Sequence, residues 1–459
     1  MSEHRIDLNY YPYSRYLTED VFKALCSEHG GISQSLLVGV ARYSKHMAIK
    51  SLAAQMPGYH RVLLDPNMEV QYHLGGYGMF YEEAMIRLAG EAIERYALMV
   101  GSYTMADKIR YATYEELARE REGQVVPLEY LRLFSDQDYV KLNRGRPRPL
   151  RRLERDDIVG WIPCQSLFDP EREIYVPAQM LFVGYRVNLE RGEVSFSQGF
   201  STGAAAHTSL AKALQSALLE FIEIDALMLQ WYTALKAPAV TIDDMTVASL
   251  VPELLSGNSR YETVALDLRV LEGVDAHVFG VALMNKKEER PFIVFGAQGH
   301  LNPLMAFYRG LMEASAVSFL GTYGALFMPK EYMPSAGHKN YTDLDSNVAF
   351  FAAPEEAALK CGIIRSLSGG RSVLSGMKNY ATEESGRDTA RLVRQLSKFS
   401  EYGVYLDITP PEASRQGWKV MRVFLPELVT MCVPGVPYSE HPRILRYGGV
   451  CNEYPHPLP

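Results

Sequence analysis

The stretch from Thr208 to Trp231 constrains the fold of this chain more than any other. Its Ala, Leu, Ile, Phe and Met residues recur around the whole circumference of the helix that the stretch predicts, so that helix must be buried. Three carboxylates, Glu220, Glu223 and Asp225, nevertheless lie near its middle. Burying a carboxylate is strongly unfavourable unless a cation or a hydrogen-bond donor compensates it. These residues therefore indicate a site inside the protein.

The same plan occurs upstream. A glycine turn at residues 75–78 precedes a predicted Ala- and Leu-rich helix over 81–103. Glu91 and Glu94 share one face of this helix because they are three residues apart, and Arg95 follows Glu91 by four.

A weaker third copy lies further along the chain. A glycine turn at 295–300 is followed by Asn302 as a helix cap, Pro303 as the first helical residue, and a predicted helix through Glu313. Three such units predict an internally repeated architecture in which the helices converge.

Two buried glutamate pairs that face each other would form a site for divalent cations, because Mg²⁺ prefers carboxylate oxygens and leaves positions for water and phosphate. A single glutamate pair on an Ala-rich helix is more often a solvated face. Two pairs, both in apolar helices that follow glycine turns, favour the functional interpretation.

Composition excludes several classes of protein. The 459 residues are 47% hydrophobic and 22% charged, which is typical of a globular chain with one large domain or two closely packed ones. A net charge of -7 argues against nucleic-acid binding. The five cysteines contain no CxxC pair, which argues against a structural zinc or a disulfide framework. We find no apolar stretch that would span a membrane and no signal-peptide pattern, so we expect a cytoplasmic protein.

The order of patterns predicts an α+β fold with repeated glycine-turn-plus-helix units packed on β-sheet. We expect an N-terminal segment over 1–70 and one domain over 71–459. Strands are predicted at 36–43, 160–167, 173–187, 261–271, 276–284, 291–295, 403–408 and 418–425, and an amphipathic helix at 388–399.

Three segments are predicted to be irregular. The first is a basic, proline-interrupted loop at about 105–157, which is most often an exposed segment, although an acidic peptide or partner could bind it. The second is a mobile loop or lid at about 335–385. The third is the proline-rich tail at 454–459, which we expect to be extended. A separate run of small residues around Ser201 lets the backbone approach a ligand.

Five features in order resemble the YcaO-domain family, most closely the stand-alone cyclodehydratase subunits of thiazole- and oxazole-modified peptide pathways such as microcin and streptolysin synthesis. They are GEAIERY at 90–96, the turn at Gly203 followed by LLEFIEIDA at 218–226, DIT at 407–409, RVFLP at 422–426, and the terminal Pro-x-Pro-x-Pro. The resemblance covers the chain from about Gly75 to its end.

The resemblance implies an ATP- and Mg²⁺-dependent modification of a peptide backbone, with the ATP site between converging helices. A Cys, Ser or Thr side chain attacks the preceding amide, whose oxygen is phosphorylated, and loss of phosphate leaves a thiazoline or an oxazoline. It also implies roles for individual residues. The metal ligands would be Glu91, Glu94, Glu220 and Glu223, the nucleotide contacts Arg95, Arg422, Lys212 and Ser201, and the functional tail residues Pro455, Pro457 and Pro459.

The chain departs from the family pattern at four positions. Ile224 stands where an arginine is usual, Lys212 where a glutamate is usual, Tyr77 where a lysine is common, and His207 where a glycine is common. Lys212 either contacts phosphate itself or marks a copy that has lost catalysis and holds a partner.

The resemblance also implies partners. They are a precursor peptide, a leader-binding protein similar to ubiquitin-activating enzymes, and a flavin-dependent dehydrogenase that oxidises azolines. A scaffold subunit without ATP turnover and a thioamide- or macroamidine-forming YcaO enzyme stay open as alternatives. The sequence does not decide between a monomer and a homodimer.

Overall fold

The computed structural model describes residues 32–33, 35–39, 49–59, 63–65, 73–146, 148–327 and 346–459. The strands are β1 (Ser35–Gly39), β2 (Lys50–Gln55), β3 (His73–Gly78), β4 (Arg110–Thr113), β5 (Ile158–Ser166), β6 (Glu173–Pro177), β7 (Ala204–His207), β8 (Ala237–Thr241), β9 (Tyr261–Asp267), β10 (His277–Asn285), β11 (Ile293–His300), β12 (Ser368–Val373), β13 (Val404–Asp407) and β14 (Lys419–Phe424). The helices are α1 (Tyr81–Thr104), α2 (Tyr114–Glu120), α3 (Asp136–Leu142), α4 (Ala178–Leu181), α5 (Leu210–Tyr232), α6 (Met245–Leu250), α7 (Pro252–Leu255), α8 (Pro303–Phe327), α9 (Ser346–Ala352), α10 (Ala357–Ser366), α11 (Ser385–Leu396), α12 (Pro411–Arg415) and α13 (Pro442–Arg446).

The strands form three sheets. The first has the order β1-β2-β3, the second β4-β5-β13-β14-β7 with β6 beside β5, and the third β11-β10-β9-β8-β12. Neighbouring strands pair antiparallel except β8 and β12, which pair parallel. Strands β3, β7 and β11 each lie at the edge of their sheet, so each has backbone N–H groups that no neighbouring strand binds.

A long helix follows each of these edge strands. The three strand-and-helix units pack against one another in a closed cycle. Helix α1 packs on β3 and also on β7, helix α5 packs on β7 and also on β11, and helix α8 packs on β11 and also on β3. Each helix thus contacts the edge strand of its own unit and that of the next. The predicted α+β fold with repeated units is therefore confirmed, but the segments predicted as glycine turns at 75–78 and 295–300 belong to the edge strands β3 and β11.

Helix α5 lies at the centre of this cycle. Every residue from Phe221 to Tyr232 is buried, which agrees with the apolar pattern around its whole circumference. The large side chains of Trp231 and Tyr232 fill the core at its C-terminal end. None of the helices in the described ranges is both long and apolar enough to cross a lipid bilayer.

Several predicted boundaries need correction. The interval 105–157 is not a continuous loop, because it contains β4, α2 and α3; its arginine-rich part after residue 143 has no helix or strand. The strand predicted over 173–187 ends at Pro177, and helix α4 follows it directly. The strand predicted over 36–43 is β1 as far as it is described, and residues 40–43 lie outside the described ranges.

The predicted mobile loop at 335–385 is wrong for its described part. Residues 346–376 contain α9, α10 and β12, and the Gly- and Ser-rich segment predicted to be loose pairs as an edge strand with β8. Its glycines weaken strand propensity, but backbone pairing with a neighbouring strand overrides that preference. Residues 335–345 lie outside the described ranges.

Candidate functional site

Each of the three long helices presents one glutamate to the edge strand of its own unit. The carboxylates accept backbone N–H hydrogen bonds in three pairs: Gly75 with Glu91 (2.9 Å), Gly203 with Glu220 (3.2 Å) and Ala297 with Glu313 (2.8 Å). The partners are 16, 17 and 16 residues apart along the chain, so the three bonds are equivalent in the repeat.

Glu313 is a residue of this set that sequence reasoning did not select. The first two helices carry a second glutamate three residues later, but the third carries Ala316 at that place, so the paired pattern is missing. The signal that could have found Glu313 is its spacing from the third glycine turn, which matches that of the other two units.

Glu223 connects the second unit to the third. Its carboxylate accepts hydrogen bonds from the backbone N–H of Gly299 (2.7 Å) and from the side-chain amide of Gln298 (3.1 Å). Ala297 and Gly299 are two residues apart on an edge strand, so their N–H groups point the same way and lie about 7 Å apart. Glu313 and Glu223, which accept from them, are therefore neighbours.

The carboxylates raise one another's pKa. Burial raises the pKa of Glu220 to about 7 against the lowering influence of Arg422 and Arg95. Burial followed by the charge of Glu313 holds the pKa of Glu223 well above its usual range. Burial and the charge of Glu220 do the same for Glu94. The negative charges of these helices are therefore only partly compensated by the surrounding protein.

The structure brings all four predicted metal ligands into this cluster. Because they are hard oxygen donors whose charges repel, the residues fit a divalent cation such as Mg²⁺. Within the described part of the chain, no three His, Cys, Asp or Glu side chains converge closely enough to hold one ion by themselves.

Two arginines border the carboxylates. Arg95 Nη2 lies 3.8 Å from the Glu91 carboxylate, and among the described residues nothing accepts a hydrogen bond from its buried Nε. Arg422 is buried, and its Nη atoms donate to the carbonyl oxygens of Ser201, Thr202 and Met180. Its Nε is also buried without a partner. Arg422 therefore fixes the loop before β7, and its Nε–H and one hydrogen of Nη2 remain for the predicted phosphate contact.

The other two predicted nucleotide contacts, Ser201 and Lys212, differ in their exposure. Ser201 is half-buried in the loop that Arg422 holds, two residues before Gly203. Lys212 is exposed in the first turn of α5, eight residues before Glu220. Eight residues of helix span about 12 Å, so Lys212 lies about 12 Å from Glu220 along the helix axis.

The proline-rich tail is not frayed. Pro455 and Pro457 are buried and Pro459 is half-buried, next to the C-terminal end of α5. Trp231 Nε1 donates to the carbonyl oxygen of Tyr454 (2.9 Å). Asn347 Nδ2 donates to two further tail carbonyls, those of His456 (2.8 Å) and Leu458 (2.6 Å). In the described ranges, no hydrogen bond joins the tail prolines to the glutamates.

The burial of the Asp225 carboxylate has a structural explanation. Arg443 donates two hydrogen bonds to its carboxylate, at 2.7 and 2.8 Å, and the N–H of Val429 donates a third. The third buried carboxylate of α5 is therefore neutralised by a resident cation and does not belong to the cluster.

The comparisons with known proteins agree with this geometry. The profile of the family described as YcaO cyclodehydratase, ATP- and Mg²⁺-binding, matches residues 75–429. No curated protein sequence matches the chain.

Solved structures share the fold. A heterocyclase in complex with substrate and cofactor superposes with a TM-score of 0.69 at 19% identity, over 94% of this chain and 55% of that one. This chain thus spans about half the length of that heterocyclase. The YcaO protein of Methanopyrus kandleri bound with AMPPCP and Mg²⁺ gives a TM-score of 0.59 at 16% identity, over 92% of this chain and 91% of that one. A chain of the Escherichia coli microcin synthetase McbBCD complex with pro-MccB17 gives 0.54 at 14%, over 86% and 88%.

The match covers most of the chain and includes all three strand-and-helix units up to Val429. The chain therefore belongs to the YcaO cyclodehydratase family, whose members bind ATP and Mg²⁺.

Proposed function

We propose that this protein is an ATP- and Mg²⁺-dependent cyclodehydratase that forms thiazoline or oxazoline rings from Cys, Ser or Thr residues of a ribosomally made precursor peptide. The observation that carries the proposal is the cluster of Glu91, Glu94, Glu220 and Glu223, whose carboxylates lie close together and are only partly neutralised by Arg95 and Arg422. Such a cluster is unfavourable in the empty protein and becomes favourable when cations bind.

The residues in and around the cluster would have different roles. The glutamates of α1 and α5 would hold Mg²⁺, and the backbone N–H groups of Gly75, Gly203 and Gly299 keep three of these carboxylates in fixed orientation. Arg95 and the Nε of Arg422 each have a donor left for phosphate oxygens. Lys212 would add a cation about 12 Å from Glu220 along α5.

When bound, Mg²⁺–ATP would supply the phosphoryl group that makes the amide oxygen of the peptide a leaving group. The heteroatom of the Cys, Ser or Thr side chain loses its proton and forms a bond to the preceding carbonyl carbon. The carbon–oxygen bond then breaks, and the amide nitrogen loses its proton as the carbon–nitrogen double bond of the ring forms. The peptide loses one water per ring, and that oxygen leaves with the phosphate. Cations placed around the developing charge are the main requirement of such a transfer.

The ordered tail supports a role near the peptide. Pro455, Pro457 and Pro459 are held against α5, the helix that carries Glu220 and Glu223. We propose that this rigid segment helps to shape the surface on which the peptide lies, because prolines and buried carbonyl anchors restrict its motion.

Partners follow from the same proposal. The Escherichia coli neighbour is a complex of several subunits with pro-MccB17 bound. We propose that the present chain likewise acts with a leader-binding partner similar to ubiquitin-activating enzymes, and that a flavin-dependent dehydrogenase can oxidise its products.

A second candidate function is a scaffold subunit that binds partner or peptide without turning over ATP. Two departures favour it: Ile224 provides no cation in α5, and the exposed Lys212 stands where a carboxylate is usual. A thioamide- or macroamidine-forming reaction would use the same nucleotide site with another nucleophile.

The decisive experiment incubates the full chain with ATP, Mg²⁺, its partner protein and the precursor peptide, and measures peptide mass. Loss of about 18 Da per ring, with formation of ADP and phosphate, is the expected result. A peptide that keeps its mass while the chain binds no ATP supports the scaffold. A mass change other than the loss of water, with ATP consumed, supports one of the related reactions.

The matched control is Glu427→Gln. Glu427 is a carboxylate that accepts hydrogen bonds from Ser400, Glu401 and Tyr402 outside the cluster. Glu220→Gln should abolish Mg²⁺-dependent ATP binding, whereas Glu427→Gln should leave it unchanged.

A further inference from the structure

The basic, proline-interrupted segment that the sequence contains takes no part in the glutamate cluster. Residues 141–157 carry seven Lys or Arg and three Asp or Glu, which gives a net charge of +4 in a chain whose net charge is -7. We call these residues the arginine segment. A local excess of positive charge in an acidic protein favours a binding surface for anionic ligands when the segment is ordered and its cations are unpaired.

The arginine segment is ordered by hydrogen bonds of its own. Asn143 Nδ2 donates to the carbonyl oxygen of Leu150 (2.8 Å), and the N–H of Leu150 donates to Asn143 Oδ1 (2.7 Å). The N–H of Arg151 then donates to the carbonyl oxygen of Ser195 (3.0 Å). The segment is therefore closed at its base and attached to the loop that precedes β7.

Two of its arginines have no counter-charge. Arg151 pairs with Asp157. By contrast, Arg144 and Arg152 are exposed, and among the described residues no carboxylate lies within ion-pair distance of either. Two guanidinium groups on an ordered segment therefore remain for the carboxylates of another molecule.

An apolar pocket lies beside the arginine segment. Its walls come from helix α3 and the residues before it, from the arginine segment, from the loop before β7 and from residues 433–438. The apolar lining residues are Phe134, Leu142, Leu150, Phe200, Val433 and Tyr438. The space is narrow and takes the end of a small aliphatic side chain.

The two unpaired arginines flank this pocket. Arg144 follows the lining residue Leu142 by two positions, and Arg152 follows the lining residue Leu150 by two. The Cα atom of each arginine is therefore within about 7 Å of that of a lining leucine. A peptide with one side chain in the pocket would have its neighbouring residues within reach of both guanidinium groups.

The pocket also adjoins the glutamate cluster and the tail. Phe200 is three residues before Gly203, whose N–H binds Glu220, so the chain between them spans at most about 11 Å. Val433 is next to the residue whose carbonyl oxygen accepts a hydrogen bond from Nε2 of the tail residue His456 (3.1 Å). A precursor peptide that lies along the tail and reaches the cluster would therefore pass this pocket.

We propose that the arginine segment and the pocket bind an acidic stretch of the precursor peptide, with a small aliphatic side chain in the pocket and carboxylates on Arg144 and Arg152. Charge complementarity favours acidic residues in the ligand, and the short distance to the glutamate cluster favours the precursor as their source. The inference rests on the proposed function for the identity of the peptide but not for the preference for acidic residues. The arginine segment would then determine which precursor is accepted.

The test measures peptide binding to the full chain by fluorescence anisotropy. One labelled peptide carries four Asp or Glu residues around a central valine, a second has Asn and Gln in place of the acids, and a third has glycine in place of the valine. We expect the acidic peptide to bind about tenfold more tightly than the neutral one, and the loss of the valine to weaken binding about threefold. The double variant Arg144→Gln/Arg152→Gln should lower the affinity for the acidic peptide about tenfold and leave that for the neutral peptide unchanged.

The matched control is Arg365→Gln/Arg394→Gln, which removes two exposed arginines from α10 and α11 and should change neither affinity. An equal loss in the two double variants would overturn the proposal, as would acidic and neutral peptides that bind within twofold of each other. Equal binding of the valine and glycine peptides would overturn the role of the pocket.

Competition identifies the source of the acidic stretch. Unlabelled precursor should displace the labelled acidic peptide from the wild type in the absence of ATP. Displacement by the partner protein but not by the precursor would assign the surface to the partner and overturn the proposal. Displacement by precursor from a chain that forms no rings would support this inference and contradict the proposed function. Ring formation on a precursor that displaces no labelled peptide would support the proposed function and overturn this inference.

Discussion

Two carboxylates of helix α5, Glu223 and Asp225, lie two residues apart and differ in how the protein compensates them. Asp225 is 0% exposed and receives two hydrogen bonds from Arg443, so its charge has a resident counter-charge. Glu223 is 6% exposed and receives only amide hydrogen bonds, while Glu313 repels it. The difference separates a carboxylate that stabilises the fold from one that is prepared for a cation.

Helix geometry explains how one helix can carry both. Residues two apart project about 200° from each other around the axis, so Asp225 and Glu223 face different parts of the protein. Asp225 meets the segment around Val429 and Arg443, and Glu223 meets strand β11. Burial alone therefore does not identify a functional carboxylate; the type of compensation does.

The largest effect is expected from Glu220→Gln and Glu223→Gln. Each substitution keeps the shape of the side chain and an oxygen for the backbone N–H but removes a charge that would hold Mg²⁺. We expect nucleotide-dependent turnover to fall by about 100-fold or more, because charge placement is the main source of rate in phosphoryl transfer. Phosphate release in the presence of precursor and partner measures it.

The comparison with Asp225 provides the control for this prediction. The folded fraction of Asp225→Asn should retain turnover, because Asp225 lies outside the cluster. Equal losses of turnover in folded Asp225→Asn and Glu223→Gln would contradict the claim that only Glu223 takes part in catalysis.

The free energy of unfolding should change in the opposite order to turnover, with the larger loss in Asp225→Asn and the smaller in Glu223→Gln. Asp225→Asn leaves the Arg443 guanidinium, which is 5% exposed, without its counter-charge and should reduce the free energy of unfolding by about 3 kcal/mol. Glu223→Gln removes a repelled charge and should leave the ligand-free protein equally stable or more stable. Chemical denaturation of both variants at pH 7.5 measures these changes. A greater loss of stability in Glu223→Gln would show that Glu223 is structural.

The sequence predicted the buried central helix because the apolar residues of α5 recur on every side. It also predicted the repeat and the two glutamate pairs, because glycine turns and i, i+3 spacing are local patterns. The compensation of these charges could not be predicted, since Asp225 and Arg443 are 218 residues apart along the chain. Only the folded arrangement shows that Asp225 is paired and that Glu223 is not.

The wrong prediction of a loop at 335–385 has a related cause. The Gly- and Ser-rich part of residues 335–385 is locally a loop pattern, yet β12 forms because β8 offers an edge with which to pair. Long-range backbone pairing therefore overrides the local preference of this segment. The tail is anchored by side chains that the local sequence does not reveal, because Asn347 and Trp231 donate to its carbonyl groups from distant parts of the chain.

The anchored tail allows a test of intermediate size. Asn347 is fully buried and its side chain donates two hydrogen bonds to the tail, so Asn347→Ala should release residues 455–459. We expect peptide-dependent turnover to fall by about tenfold, while Mg²⁺-dependent nucleotide affinity stays within twofold, because the anchors lie beyond the paired Asp225 and away from Glu223. Calorimetry and peptide mass measure the two quantities.

Trp231→Phe is the matched variant for the tail. It removes one donor to the tail and keeps an aromatic side chain in the core, so its effect should be smaller than that of Asn347→Ala. If both variants also lost nucleotide affinity, the tail and the glutamate cluster would depend on each other. The two faces of α5 would then not act independently.

The smallest expected effect concerns the pH dependence of stability. Burial raises the pKa of Glu313 to about 8 in the folded protein, from about 4.5 when unfolded. The folded state therefore binds more protons over this window, and the associated stability is complete below pH 4.5 and is lost as the pH rises to about 8. Buried histidines such as His277, whose pKa is lowered to about 4, act in the opposite sense but are neutral in both states well above pH 6.5.

The ligand-free protein should therefore show a melting temperature that falls by about 1 °C per pH unit between pH 7 and 8. Glu313→Gln should reduce this slope without abolishing it, because glutamine cannot titrate and still offers an oxygen to the N–H of Ala297, while Glu220, whose pKa is raised to about 7, still contributes. Asp225→Asn should leave the slope unchanged, since Arg443 keeps that carboxylate paired throughout this range. Differential scanning calorimetry across these pH values measures the three slopes, and equal slopes in wild type and Glu313→Gln would show that Glu313 is already ionised and does not share the strain of the cluster.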